Sequence, residues 1–265
     1  MNALTAFREG YPLGFCVMSG VFGSIIGSFL GVVVERLPPM LLEEEDAGNL
    51  LFPASHCPAC GHVLAWWENI PLLSWCCLRG RCSHCRVAIP LRLLMVECLS
   101  ALFFALTAAF APSLPALIAL WILWTGLLPL TFIDARYLLL PDSLTQPLLW
   151  AGLLFHACVH TLPLTDALYG AIAGYLSLWL VYWGCRLLTG REGLGQGDGK
   201  LFAALGAWCG WQPLPYILLL AALTGIVIYV LLYKSTGNDR QIPFGPALSL
   251  AGVIIFIIQS WQFTF

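Results

Sequence analysis

Between Tyr11 and Trp261 the chain returns again and again to apolar runs, most of them close to the ~20 residues an α-helix needs to cross a bilayer. Eight such stretches can be delimited: Tyr11 to Val34, Leu93 to Ala111, Leu114 to Ile133, Leu144 to Leu162, Ala167 to Leu188, Leu201 to Trp211, Pro213 to Tyr233 and Pro243 to Trp261. The sixth is the shortest. Their apolar character is continuous, not alternating, which selects helices over barrel strands. Charged residues make up 10% of the chain, against about 25% in soluble domains. The expected class is therefore an all-α polytopic membrane protein with about eight transmembrane helices. The first segment is too long for a signal peptide, and no clear small-residue cleavage site follows it.

The distribution of charge orients these spans. With Glu35 to Arg92 placed in the cytoplasm and the spans alternating, Arg36, Arg79, Arg81, Arg86, Arg92, Arg136, Arg186, Arg191, Lys200, Lys234 and Arg240 fall on the cytoplasmic side. Only Arg8 falls on the other. Cytoplasmic loops are enriched in Lys and Arg, so both termini are expected outside, with the loops carrying Asp134 and Asp198 inside. The organisation implied is a first transmembrane helix over 1–34, a cytoplasmic loop over 35–92 and a seven-helix membrane core over 93–265. The acidic run Glu43 to Asp46 reads as a solvated turn. The formal net charge of −2 gives no reason to expect a nucleic-acid partner.

The loop holds its own signal, CPACGHVLAWWENIPLLSWCCLRGRCSHC, residues 57–85. Cys57 and Cys60 are followed, after twenty-one residues, by Cys82 and Cys85. Two CxxC pairs let four thiolates meet at one tetrahedral ion, as in a structural zinc ribbon. Disulfides are the poorer reading in a reducing compartment. His56, His62 and His84 lie near enough to compete as ligands, but four well-spaced cysteines make that unnecessary. The remaining seven of eleven cysteines sit in or beside apolar segments, where a thiol behaves as a small hydrophobe.

Two acidic stretches stand at membrane borders. Asp134 follows an apolar run within TFIDARYLLLPD, where Asp142 closes the stretch, and Asp198 lies among glycines in GLGQGDGKLFAALG. Any one of them could cap a helix, and Asp142 before Ser143 suits an N-cap or turn best. The functional alternative needs two carboxyl groups that meet, with either Asp134 or Asp142 as the partner of Asp198. Such a pair can hold one proton between them, so that one carboxylate activates water while its protonated partner donates to a peptide carbonyl. Gly195, Gly197 and Gly199 would then let an extended substrate backbone approach. There is no HExxH and no GxSxG. Gly20, Gly23 and Gly27 read as helix-packing positions, and His156 and His160 as packed or interfacial side chains. An ion-relaying transporter predicts further polar groups in mid-membrane, and the spans here have few, while a membrane scaffold with a partner-binding zinc loop would leave the glycine-flanked acid unexplained.

Taken together, GSFLGVVVERLP, the cysteine loop, IDARYLLLPD, GAIAGYLSLWLVYW, GQGDGKLFAALGAW and IPFGPALSL resemble the type IV prepilin leader peptidases that serve type II secretion pseudopilins. The resemblance implies a bifunctional enzyme of the bacterial inner membrane, with both termini periplasmic. It would cleave the leader of prepilins or pseudopilins at the cytoplasmic face, then N-methylate the new terminus using S-adenosylmethionine. By the same resemblance the catalytic pair is Asp134 and Asp198, and Cys57, Cys60, Cys82 and Cys85 are the metal ligands. Three positions depart from the family pattern: Gly31 stands where asparagine is usual, Arg92 to Glu97 reads RLLMVE in place of RYPLVE, and Gly199 replaces a bulkier residue. Glu97 is left to contact the cofactor or the substrate amine, or to pair with Arg92. The acidic run Glu43 to Asp46 could attract a basic leader.

Overall fold

The computed structural model describes residues 3–42, 49, 50, 52, 54–57, 59–190, 195–230 and 243–262. The acidic run Glu43 to Asp46, together with Gly193 and Leu194 of the glycine-rich stretch, lies outside the described residues. Among those described the chain is helical, with isolated bridges but no strand. It divides into two compact units, Met1–Leu114 and Pro115–Phe265.

The first unit contains α1 (Ala3–Gly10), α2 (Pro12–Leu41), α3 (Leu73–Cys77) and α4 (Leu91–Phe110). Pro12 suits the first turn of α2, because its φ is preset and its missing N–H would have no partner there. Glycines bring α2 against α4: a Cβ on Gly23 would lie 2.7 Å from the Ser100 carbonyl oxygen, and one on Gly27 would lie 2.9 Å from Glu97 Cα. The glycine stripe read as helix packing is that. Apolar composition stops at Val34, but α2 continues to Leu41. Glu35 marks the end of the apolar run, not of the helix, and the carbonyl of Pro38 still accepts a bond from the Leu42 amide (3.0 Å).

The second unit contains α5 (Leu114–Tyr137), α6 (Asp142–Val159), α7 (Leu164–Thr189), α8 (Gln196–Cys209), α9 (Leu214–Ile228) and α10 (Gly245–Gln262). Among the described residues five helices, α2, α4, α5, α7 and α10, are long and apolar enough to cross a membrane. The sixth expected span, α8, has only 14 residues and is the centre of its unit. Every residue from Leu201 to Gly210 is buried, as a helix apolar on all sides must be. Its neighbours approach through glycine. A Cβ on Gly206 would sit 2.1 Å from the Gly170 carbonyl oxygen, and one on Gly174 would sit 2.7 Å from that of Phe202, so α7 and α8 pack backbone to backbone. On another side Trp208 donates its indole N–H to the Leu148 carbonyl (2.9 Å) over Gly152 of α6. His156 places Nε2 2.8 Å from the Trp208 carbonyl and Nδ1 3.0 Å from Thr161 Oγ1. It is a packed core histidine, as read, while His160 ends α6 in the left-handed region with φ 56°.

Candidate active site and metal centre

The cysteine loop is built on one turn used twice. The Cys57 amide donates to the His62 carbonyl (2.9 Å), the Gly61 amide donates back to the Cys57 carbonyl (2.9 Å), and His56 bridges to Val63. Cys82 donates to Val87 (2.9 Å), Arg86 donates to Cys82 (3.1 Å), and Arg81 bridges to Ala88. The residue after the second cysteine takes positive φ in both turns, 69° at Gly61 and 62° at Arg86. Glycine meets that demand freely and arginine only with strain.

All four Sγ atoms lie within 4.8 Å of one another, with Cys57 to Cys85 at 3.7 Å and Cys60 to Cys82 at 4.0 Å. A tetrahedron with zinc–sulfur bonds of about 2.3 Å has sulfurs about 3.8 Å apart, so the set fits such an ion. The amides of Ala59 and Cys60 hold the Cys57 thiol down at about 7. At Cys60 the His62 amide pulls the other way, but burial and the neighbouring Cys85, Cys57 and Cys82 sulfurs push the thiol up to about 12. Four thiolates this close repel one another, and a divalent cation relieves that repulsion. Beneath them Glu68 is buried. Its carboxylate accepts from the Ala65 amide (2.7 Å) and stands 3.5 Å from His62 Nε2. The Ser83 hydroxyl, more than the Ala65 amide and His62, holds its acidity strong. One carboxylate thus ties both turns together. His62 and His84 stack on each other, with centroids 5.4 Å apart.

Asp134 and Asp198 are both buried, at 5% and 6% exposure, and interact electrostatically. Asp134 is on the last turn of α5 and Asp198 on the first turn of α8. Asp134 Oδ2 accepts the amide N–H of Gly245, the first residue of α10, at 2.8 Å. A Cβ at Gly245 would lie 2.7 Å from that same oxygen. Asp142 is elsewhere: its side chain is 59% exposed, opens α6 and receives Lys200 Nζ at 2.6 and 2.8 Å. Of the two candidate partners for Asp198, Asp134 is buried as Asp198 is, whereas Asp142 is exposed and paired with Lys200.

The glycines around Asp198 differ in the room they leave. A Cβ on Gly197 would strike Leu140 Cβ at 2.8 Å, so this glycine is required by packing. Gly199 would meet nothing closer than 3.8 Å. Gln196 donates to the Tyr182 hydroxyl of α7 (3.3 Å). Sequence reasoning missed Gly245 as a neighbour of Asp134. Its signal was slight, a Gly-Pro pair opening an apolar run, which suits a helix N-terminus.

In the first unit, Glu97 accepts from the Leu72 amide (2.9 Å), where φ is 61°. The pairing with Arg92, one of the alternatives read for Glu97, is not formed: Arg92 is taken by Glu35 (3.0 Å between Nη2 and Oε2). Two departures from the family pattern face each other: a Cβ on Gly31 would stand 3.2 Å from Leu93 Cδ2.

The bacterial peptidase A24 N-terminal domain matches residues 21–111, and the type IV leader peptidase family matches residues 121–230. A prepilin leader peptidase/N-methyltransferase of Aeromonas salmonicida is 45% identical over 97% of this chain and 95% of its own. One from Aeromonas hydrophila is 45% identical over 100% and 99%, and one from Pseudomonas aeruginosa is 43% identical over 96% and 94%. No solved structure matches.

Proposed function

The chain belongs to the type IV leader peptidase family, and from that premise we propose that it cleaves the leader from prepilins or pseudopilins with Asp134 and Asp198 as the catalytic pair. The observation that carries this reading is the meeting of two buried carboxyl groups from α5 and α8 in a chain related over nearly its whole length to enzymes of that name. One carboxylate takes a proton from water as the water oxygen attacks the scissile carbonyl carbon. The other donates its proton to the carbonyl oxygen. As the C–N bond breaks, the first carboxyl group gives its proton to the leaving amine nitrogen and the second carboxylate takes one back from a hydroxyl of the tetrahedral intermediate, which resets the pair. The Gly245 amide holds Asp134 by one oxygen, leaving the other to face the reaction.

The remaining assignments follow the same reading. The enzyme is a multi-pass protein of the bacterial inner membrane, its termini periplasmic and its catalytic pair at the cytoplasmic face, where the basic loops lie. The peptidase chemistry belongs to the membrane core within 93–265, and the loop within 35–92 holds a structural zinc ion on Cys57, Cys60, Cys82 and Cys85. A four-thiolate site is closed and supplies no hydrolytic water. The names of the relatives add a second activity, N-methylation of the new terminus, for which S-adenosylmethionine would be the methyl donor.

The test is leader cleavage of a prepilin by membranes carrying the wild type, Asp134→Asn, Asp142→Asn or Asp198→Asn, with folding checked by protease resistance. Loss of cleavage beyond detection is expected for Asp134→Asn and Asp198→Asn, with residual activity for Asp142→Asn. Cleavage at the normal rate by a folded Asp198→Asn protein would overturn the mechanism.

A further inference from the structure

A run of contacts leads from Asp134 to the segment that carries Asp198. From Asp134 the chain finishes α5, and Leu138, with φ 55°, donates its amide back to the Asp134 carbonyl (3.0 Å). The short link ends at Pro141, whose carbonyl accepts from both Leu144 and Thr145 (3.0 Å each). Both ends of the link are thereby bonded, and its middle is pressed against α8, since Leu140 Cβ leaves no room for a Cβ on Gly197. Asp142 opens α6 and receives Lys200 Nζ on both oxygens. Lys200 lies two residues beyond Asp198, where the second turn of α8 begins, so the run of contacts ends beside Asp198.

We infer that Lys200 and Asp142 form a positioning clamp that sets the first turn of α8, and so Asp198, against Asp134. This rests on the aspartate-pair reading above. The clamp is half-exposed, with side chains 34% and 59% accessible, and an ion pair in such a setting adds little to stability. Its two-point geometry adds direction. A misplacement of about 1 Å at a reacting group can cost about 100-fold in rate, so the pair matters for kcat far more than for folding. Lys200 also lines a cleft of about 450 Å³ with Thr145, Gln146, Tyr175 and Leu176. If Lys200 acted instead as a substrate contact in that cleft, removing Asp142 would free it and leave kcat intact.

The experiment measures kcat and KM for leader cleavage by the full-length enzyme in detergent, with thermal unfolding followed in parallel. Lys200→Met and the near-isosteric Asp142→Asn should each lower kcat about 10- to 100-fold, with KM within about twofold and an unfolding midpoint close to that of the wild type. The exchanged pair, Asp142→Lys with Lys200→Asp, should recover at least tenfold over the weaker single variant. Wild-type kcat in Asp142→Asn overturns the clamp, as does a change in KM alone. The isosteric single variant decides the matter even where the exchanged pair does not fold. Asp134→Asn and Asp198→Asn run beside them: if these remain active the catalytic assignment fails, whereas if they are dead and Asp142→Asn is normal, only the clamp does.

Discussion

In the cysteine module, ligands within each pair are three residues apart and both pairs use the same turn, so the convergence of four sulfurs is largely written into the local chain. Asp134 and the Gly245 amide that holds it are 111 positions apart, and Asp198 arrives on a third helix. Nothing local brings these groups together. Their placement depends on α8, which is buried from Leu201 to Gly210 and whose neighbours approach through Gly170, Gly174 and Gly152. The first region is organised by covalent spacing. The second is organised by contacts that tolerate almost no added volume. Disrupting each should therefore fail in its own way.

The largest effect expected is loss of the metal from the loop. Structural zinc contributes about 10–16 kcal/mol to folding of zinc-finger peptides, far more than a short loop can recover from its own core. Cys82→Ser should abolish stoichiometric zinc by metal analysis and open residues 54–90 to limited proteolysis, while α8 stays protected. The comparison breaks if the loop resists protease without its ligands, because Glu68 and its partners in the two turns would then be holding it. Acid should release the metal as protons compete for the thiolates.

A smaller effect, felt more in activity than in stability, is expected at Gly245. The methyl group of Gly245→Ala would fall 2.7 Å from Asp134 Oδ2. Either the carboxylate turns or α10 retreats, and both break the 2.8 Å amide bond. Overpacking of this kind costs about 1–3 kcal/mol in stability. Displacing a reacting group should reduce kcat by about 100-fold, read from cleavage kinetics beside a melting curve. Full activity would show that the amide does not orient Asp134.

What could be read from the sequence follows the same division. The cysteine set and the helical class were legible because each depends on composition or short spacing. Asp142 was separable from Asp134 only as the residue better suited to a helix start, which is where it lies. Its partner Lys200 was not legible, since an ion pair 58 positions apart leaves no periodic trace. Glu97 and Arg92 were expected as a possible pair because they are near in sequence on what becomes α4. Helical geometry placed Glu35 of α2 beside the arginine and the Leu72 amide beside the glutamate. The helical extension of α2 to Leu41 was not legible, because apolar composition and helical hydrogen bonding stop at different residues.

The sharpest test lies within a single motif. Gly197 and Gly199 flank Asp198, and both were read as space for a substrate backbone. The fold separates them. A methyl on Gly197 runs into Leu140 Cβ at 2.8 Å, whereas one on Gly199 makes ordinary contact with Leu178 Cβ at 3.8 Å. Gly197→Ala should cost about 1–3 kcal/mol by overpacking, and activity with it, because the link to Asp134 is what it displaces. Gly199→Ala should be neutral or add up to about 1 kcal/mol, the helix-propensity difference between the two residues. Thermal unfolding and cleavage rates of the two variants measure both. Should Gly199→Ala keep its stability yet lose cleavage, the missing side chain there serves the substrate. Should it keep both, the glycine at 199 is free to change, and the demand for small residues around the acid comes from the packing of α8 alone.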